Sequence, residues 1–460
     1  MLFERIESPG LAHYSYLVGD GHEAVVIDAR RDCQVYVDRA AREGMRITHI
    51  LETHRNEDYA IGSVELAART GAEIWHADAQ YDYAYGNPVA DGRRWTVGDV
   101  GVRALACPGH TEGMMAYLLE DADGHPWAVC TGDALFAGSV GRVDLLGADR
   151  IPEMAGRLYD SITERLLPLG DGVIVLPAHG PGSACGASIA ERPWTTLGIE
   201  RRHNPALQVA SREEFIERVG QALPFPPYFY TMERMNVEGP PPFPRLPSPP
   251  MLGPQAFADG ARAGLVLDVR DALAFQAAHV PGALSIWSER LGRYGGWFLP
   301  YDRPLFLVAG DDAREDAVRS LARMGYDRLG GVLSGGMEAW QAAGLESDSL
   351  MNITVPQLET LLARGGEPWI LDLRTHEEVE RDGTVPGARH VPLTSLSERR
   401  DEVPREENVF AFCGTGVRST IAASLLARWG WPRLTVVMGG MEGWKAAGAP
   451  RTGQVAQGAG

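Results

Sequence analysis

The sequence predicts an α/β chain of three domains, and three observations carry that prediction. Its 460 residues amount to about three domains at roughly 150 residues each. A proline-rich stretch, GPPPFPRLPSPPMLGP at 239–254, divides the chain. Proline fixes φ and removes a backbone donor, so this stretch reads as an extended spacer after a first unit, 1–238. The remainder repeats itself. Asp268-Val269-Arg270 and Asp372-Leu373-Arg374 follow short apolar runs 104 residues apart, and GGMEAW from Gly335 answers GGMEGW from Gly439 at the same spacing. VPGA at 280–283 returns at 385–388, one residue out of step. A near-constant offset marks two copies of one domain, 255–347 and 352–450.

In the first unit, alternating strands HYSYLV and EAVVID are followed by a helix at VYVDRAAREG and a strand at ITHILET. A helix is expected over about 57–70, with Ile61, Val64 and Leu66–Ala68 on one face and Gly71 as its stop. The strands VRALAC, AVCTGD and VIVLPAH each end where histidine or aspartate appears, the usual place for a site in a layered α/β fold. In the second unit, short apolar strands alternate with helical stretches. In its second copy, WILDL, NVFAFC and the helix RSTIAASLLARWG come in that order, which predicts a parallel sheet with crossover helices.

Acidic residues outnumber basic ones, 61 to 43, for a net charge of −18. That balance disfavours a nucleic-acid or anionic-membrane partner, either of which selects a basic surface. No apolar run reaches the roughly 18 residues that span a bilayer, and MLFERIESPG lacks the apolar core of a secretory signal. The cysteines Cys33, Cys107, Cys130, Cys185 and Cys413 form no CxxC pair, so neither a disulfide framework nor a zinc ribbon is expected. These features predict a reduced, cytoplasmic protein, with a homodimer as the default assembly.

Four strand ends collect His54, His110, Asp133 and His179. Imidazoles with one carboxylate suit a borderline divalent metal, and two histidines plus a carboxylate leave three open positions, as in non-haem iron oxygenases. The runs ETHRNEDYAIG, PGHTEG, TGDALFAGSVGRVDL, LPAHGPGSACG and TTLGIERRHN resemble the metallo-β-lactamase-fold family, and within it the persulfide dioxygenase branch. The resemblance spans 1–237 and implies an αββα sandwich. It further implies one Fe(II) per chain at His54, His110 and Asp133, with zinc able to occupy the site on purification and no organic cofactor. Asp58 and His179 would orient ligands or solvent. The family's motif THxHxDH is here Thr53-His54-Arg55-Asn56-Glu57-Asp58-Tyr59. Asn56 and Tyr59 thus replace two imidazoles that the dinuclear hydrolases of the fold require. By the same similarity Arg142 would face the carboxylate of a glutathione-type substrate. Tyr228, Tyr230 and Asn236 fall in a segment similar to the family's C-terminal part, where edge packing is the plainer role.

Cys413-Gly414-Thr415-Gly416-Val417-Arg418 joins a strand to a helix. A thiol there meets converging N–H groups and the positive helix end, which favour the thiolate, and Arg418 adds charge. With DLR, VPGA and GGMEGW, this resembles a rhodanese domain, whose Cys-x4-Arg loop suits a sulfane sulfur. Cys413 would carry a persulfide. In the first copy, Ala309 stands opposite Cys413 and Arg314 opposite Arg418, so that copy is expected to be non-catalytic. The other cysteines read as inert.

The domain order is similar to persulfide dioxygenase–rhodanese fusions. It implies oxidation of a low-molecular-weight persulfide such as glutathione persulfide with O2 to sulfite, and sulfur transfer between sulfite and thiosulfate through Cys413. Two alternatives stand beside it. One is a zinc-dependent hydrolase of thioesters. The other is a metal-free first domain with only the sulfurtransferase active.

Overall fold

The computed structural model describes residues 1–186, 189–192 and 194–452. The chain forms two compact units, Met1–Leu246 with Arg319–Tyr326, and Pro247–Val318 with Asp327–Gly460.

In the first unit, six strands run in the order Leu2–Ser8, His13–Asp20, Glu23–Ile27, Arg46–Glu52, Glu73–His76 and Asn87–Pro88. A second six-stranded sheet runs Thr195–Thr196, Ile174–Pro177, Pro126–Gly132, Met115–Glu120, Val100–Ala106 and Arg94–Val97. Side-chain alternation explains the layering. Tyr16, Val18, Val25 and Ile27 of the first sheet pack against Val102, Ala104, Tyr117, Leu119 and Cys130 of the second. Their neighbours Leu17, Ala24 and Val26 point the other way, onto Tyr36 and Ala40 of helix Gln34–Arg42 and Leu66 of helix Ser63–Thr70. Ala116, Leu118, Val129 and Val175 of the second sheet cover Met154, Ala155 and Leu158 of helix Ile151–Asp160. The result is an αββα sandwich whose strands are buried on both faces.

The helix expected over 57–70 begins at Ser63. Residues 56–62 form a buried loop instead, because their backbone bonds outside any helix. Asn236 accepts from the Ile61 N–H at 2.9 Å and donates to the carbonyls of Asn56 and Tyr59 at 2.7 and 2.8 Å, and Gly62 N–H donates to Ala29. Asn236 therefore clamps the motif loop, whereas Tyr230 is exposed. The proline-rich stretch carries no regular element from 239 to 250, but it is not a free spacer. Phe243 is buried, its N–H donates to Glu65, and its carbonyl accepts from Arg69.

The second unit holds two five-stranded parallel sheets of matching order. The first runs Met251–Leu252, Leu329–Leu333, Leu305–Val308, Leu265–Asp268 and Leu284–Ser285. The other runs Met351–Thr354, Leu434–Met438, Val409–Phe412, Trp369–Asp372 and Arg389–His390. The repeated DLR is structural in both. Arg270 folds back on buried Asp268 and Arg374 on buried Asp372, each with a closest contact of 2.6 Å. Among the described residues no helix is long and apolar enough to cross a membrane.

Candidate functional site

Strand Arg46–Glu52 ends one residue before His54, with Thr53 between, and strand Pro126–Gly132 ends immediately before Asp133. His110 lies in the loop between Val100–Ala106 and Met115–Glu120. All three side chains are buried, with His54 Nε2 3.8 Å and His110 Nε2 3.5 Å from Asp133 Oδ2.

The hydrogen bonds fix the tautomers. His110 Nδ1 lies 2.9 Å from the carbonyl of Arg142; a carbonyl only accepts, so Nδ1 carries the proton. Thr53 gives its hydroxyl proton to Asp28 at 2.8 Å and stands 2.8 Å from His54 Nδ1, so it accepts from His54. In its neutral form each imidazole therefore turns a bare Nε2 inward, as a metal ligand must. Both Nε2 atoms are buried without a hydrogen-bond partner among the described residues. This donor set fits a divalent cation.

Glu57, a spacer position of the motif, also enters the site, and sequence reasoning missed it. Its carboxylate is buried, 3.2 Å from His110 Nε2 and 3.9 Å from His54 Nε2. Burial acts to raise its carboxyl, but the His110 and His54 imidazoles outweigh burial and hold it low. In return, against burial, Glu57 and Asp133 raise His110 to about 9, so without a metal its Nε2 holds a proton at neutral pH that a bound cation would displace. Cys185, read from the sequence as inert, donates its thiol to Glu57 Oε1 at 3.2 Å. Cys107 and Cys130 are plain core residues.

His179 lies between two carboxylates, with Nδ1 2.8 Å from Asp133 Oδ1 and Nε2 2.9 Å from Asp58 Oδ2. Burial opposes its charge, but Asp133 and Asp58 raise it well above the ordinary histidine range. Asn56 donates to the carbonyl of His54. Tyr59 lies with its ring 3.8 Å from that of His13, its buried hydroxyl without a partner among the described residues. A phenol and an amide thus occupy the positions of the two replaced imidazoles.

Arg142 is not placed as the resemblance implied. Its guanidinium is buried, bidentate to Asp144 at 2.7 and 2.8 Å, and donates to the carbonyls of Ala184, Pro224 and Leu223. All five of its N–H donors are used inside the fold, and none faces a substrate. The glycine before it is required by close approach: a Cβ at Gly141 would lie 1.9 Å from the Asp133 carbonyl oxygen. Asp78, also missed, joins the two histidine loops by accepting from Arg55 N–H, Thr111 Oγ1 and Gly113 N–H, each at 2.8 Å. Asp28 and Asp78 both have positive φ, 53° and 51°, a strain that sequence alone does not announce.

In the second unit, Cys413 follows strand Val409–Phe412 and precedes helix Val417–Arg428. It is buried, and Gly416 N–H donates to its Sγ at 3.1 Å. Arg418 does not pair with the sulfur; it binds Glu378 at 2.5 and 2.7 Å. The GGMEGW segment holds the loop from below. Met441 and Glu442 N–H groups donate to the carbonyls of Cys413 and Gly414, and Gly439 N–H to Thr415. Val417 is the first residue of the helix. In the other copy, Ala309 and Gly310 lead into helix Asp311–Arg323, so that loop holds no thiol.

The metallo-beta-lactamase superfamily profile matches residues 8–179, and the rhodanese-like domain profile matches 254–343 and 354–447. A hydroxyacylglutathione hydrolase of Acidiphilium cryptum is 35% identical over 229 residues, covering 44% of this chain and 88% of that protein. The mitochondrial persulfide dioxygenase ETHE1 of Bos taurus is 29% identical over 236 residues, covering 47% and 80%. An uncharacterized protein of Mycobacterium leprae is 40% identical over 120 residues, 26% of this chain, and the chain spans only 45% of that protein's length. Among solved structures, a metallo-beta-lactamase from Staphylococcus aureus is 28% identical with a TM-score of 0.66, covering 72% of this chain and 98% of that one. By these matches the chain belongs to the metallo-β-lactamase superfamily, with two rhodanese-like domains following the metallo-β-lactamase fold.

Proposed function

We propose that the first unit is a mononuclear Fe(II) dioxygenase of low-molecular-weight persulfides such as glutathione persulfide, and that Cys413 of the second is a sulfurtransferase nucleophile. The observation that carries the first part is the convergence of His54 Nε2, His110 Nε2 and Asp133 on one point, while Asn56 and Tyr59 stand where a second metal's imidazoles would be. The similarity to a persulfide dioxygenase over most of that protein's length supports the choice of substrate.

The overall reaction balances as persulfide, O2 and water giving thiol, sulfite and two protons, the sulfane sulfur losing the four electrons that O2 gains. A bound iron ion supplies the Lewis acidity and the electron that activate dioxygen. The protein's part is to hold His54 and His110 in the ligating tautomer, to orient Asp133 through His179, and to exclude bulk water from a fully buried site. In the second unit, the Cys413 thiolate attacks the outer sulfur of a low-molecular-weight persulfide, breaking its S–S bond to form the Cys413 persulfide and release the thiol. Gly416 N–H, already on Sγ, stabilises the anion, and the sulfur passes to sulfite to give thiosulfate, or in the reverse direction.

The test is oxygen uptake by full-length protein, loaded anaerobically with Fe(II), on addition of glutathione persulfide. Uptake that His110→Ala abolishes is expected; no uptake with iron bound would defeat the dioxygenase reading. The similarity to a hydroxyacylglutathione hydrolase favours a second reading, hydrolysis of a glutathione thioester. Zinc-dependent thioester cleavage without oxygen uptake would establish it instead.

A further inference from the structure

We infer that Glu57 is a fourth protein ligand of the metal, joining His54, His110 and Asp133; the inference rests on the mononuclear reading above. The motif THxHxDH leaves this position unspecified, yet the Glu57 side chain is 0% exposed and turned between the two histidines.

Neighbouring buried charges have protein counter-charges. Asp133 and Asp58 share His179, and Arg55 pairs with Glu233 at 2.8 Å. Glu57 faces His54 and His110 on the side away from their Nδ1 protons, which are committed to Thr53 and Arg142. With both imidazoles in the ligating tautomer, His54 Nε2, 3.9 Å from Glu57 Oε2, and His110 Nε2, 3.2 Å from Glu57 Oε1, turn lone pairs toward the carboxylate in a dry site. Lone pairs facing one another in a low dielectric repel unless a cation, a proton or a metal ion, lies between them. Cys185 completes the arrangement by donating to Oε1, which leaves Oε2 as the free ligand atom.

Two imidazoles and two carboxylates neutralise a divalent ion. They leave two exchangeable positions of an octahedral six, where the three-ligand set leaves three. This chain has thus lost two motif imidazoles and gained a carboxylate from the spacer between them.

Full-length wild type, Glu57→Gln and Glu57→Asp, titrated with Co(II) against a competing chelator, test the inference. Glu57→Gln keeps the size and the acceptor for Cys185; Glu57→Asp keeps the charge and withdraws the oxygen. Loss of an outer-shell partner alone weakens metal sites about 10–100-fold, so each variant is expected to bind Co(II) at least about tenfold more weakly. Their visible Co(II) bands are expected to shift and intensify as coordination number falls. Wild-type affinity and bands in both variants would overturn the ligand role, as would weaker binding with unchanged bands, which marks a purely electrostatic effect. A wild type that binds no Co(II) would overturn the metal reading itself.

Discussion

Asp28 acts on the proposed metal site through one intervening residue. It accepts the Thr53 N–H and hydroxyl, each at 2.8 Å, and so obliges Thr53 to accept from His54 Nδ1. Burial raises its carboxyl to about 6, so at neutral pH it is the carboxylate that holds the relay. Asp28→Asn suits the left-handed backbone there but places an amide donor against Thr53 Oγ1. The hydroxyl then turns toward His54, whose proton moves to Nε2. Metal affinity measured by chelator competition is expected to fall about 10–100-fold; unchanged affinity would show that His54 is not set by this relay. Glu378 plays a different part beside Cys413. Burial acts to raise its carboxyl, but Arg418 outweighs it and lowers it to about 2. A depressed carboxylate contributes stability that is fully present above its unfolded value, near 4.5, and lost as pH falls toward 2. Glu378→Gln should therefore destabilise the second unit by about 1–3 kcal/mol at pH 7. Urea titrations of the two proteins should converge as pH approaches 2.

The repeated GGMExW segments separate what the two copies share from what only one uses. Trp340 and Trp444 are buried and donate to the carbonyls of Glu346 and Pro450 at 2.8 and 3.0 Å, a packing role common to both. Gly336 and Gly440 occupy equivalent positions with φ of 57° and 48°, but their surroundings differ. A Cβ at Gly440 would lie 2.2 Å from the Cys413 carbonyl oxygen, whereas one at Gly336 would meet nothing within 4 Å. Gly440→Ala must push the cysteine loop away as well as strain the backbone, and is expected to cost about 2–4 kcal/mol and most of the sulfurtransfer activity. Gly336→Ala bears only the backbone strain, about 1 kcal/mol, and should leave transfer unchanged. Equal losses in thermal denaturation and turnover would mean that the glycine serves the fold alone. At this scale the sequence was readable where a pattern recurs and misleading where tertiary bonds override it. Residues 57–62 have helical periodicity, yet Asn236, some 175 positions away, holds them as a loop.

The architecture was legible because it is written in periodicity, repeat spacing and strand-end chemistry, each a local property of the chain. His54, His110 and Asp133 could be found as residue types at strand ends. Glu57, Asp28, Asp78 and Cys185 could not, because their roles depend on which way a buried side chain turns and on bonds between distant loops. Arg142 failed for the same reason: a forked guanidinium in a glycine-rich loop looks available for a ligand until Asp144 and three carbonyls are seen to consume it. Two units, each with its own hydrophobic core, hold the two proposed sites. The metal centre is built wholly from residues of the first unit, and the Cys413 loop from residues of the second. Each activity should therefore survive loss of the other. Cys413→Ala in the full-length protein is expected to abolish transfer of sulfur from thiosulfate while leaving Fe(II)-dependent oxygen uptake largely intact, and His110→Ala the reverse. Both assays run on the same two preparations decide the matter. If Cys413→Ala removes both activities from a folded protein, the sulfur must pass through Cys413 on its way to the metal, and the two sites form one sequential catalyst.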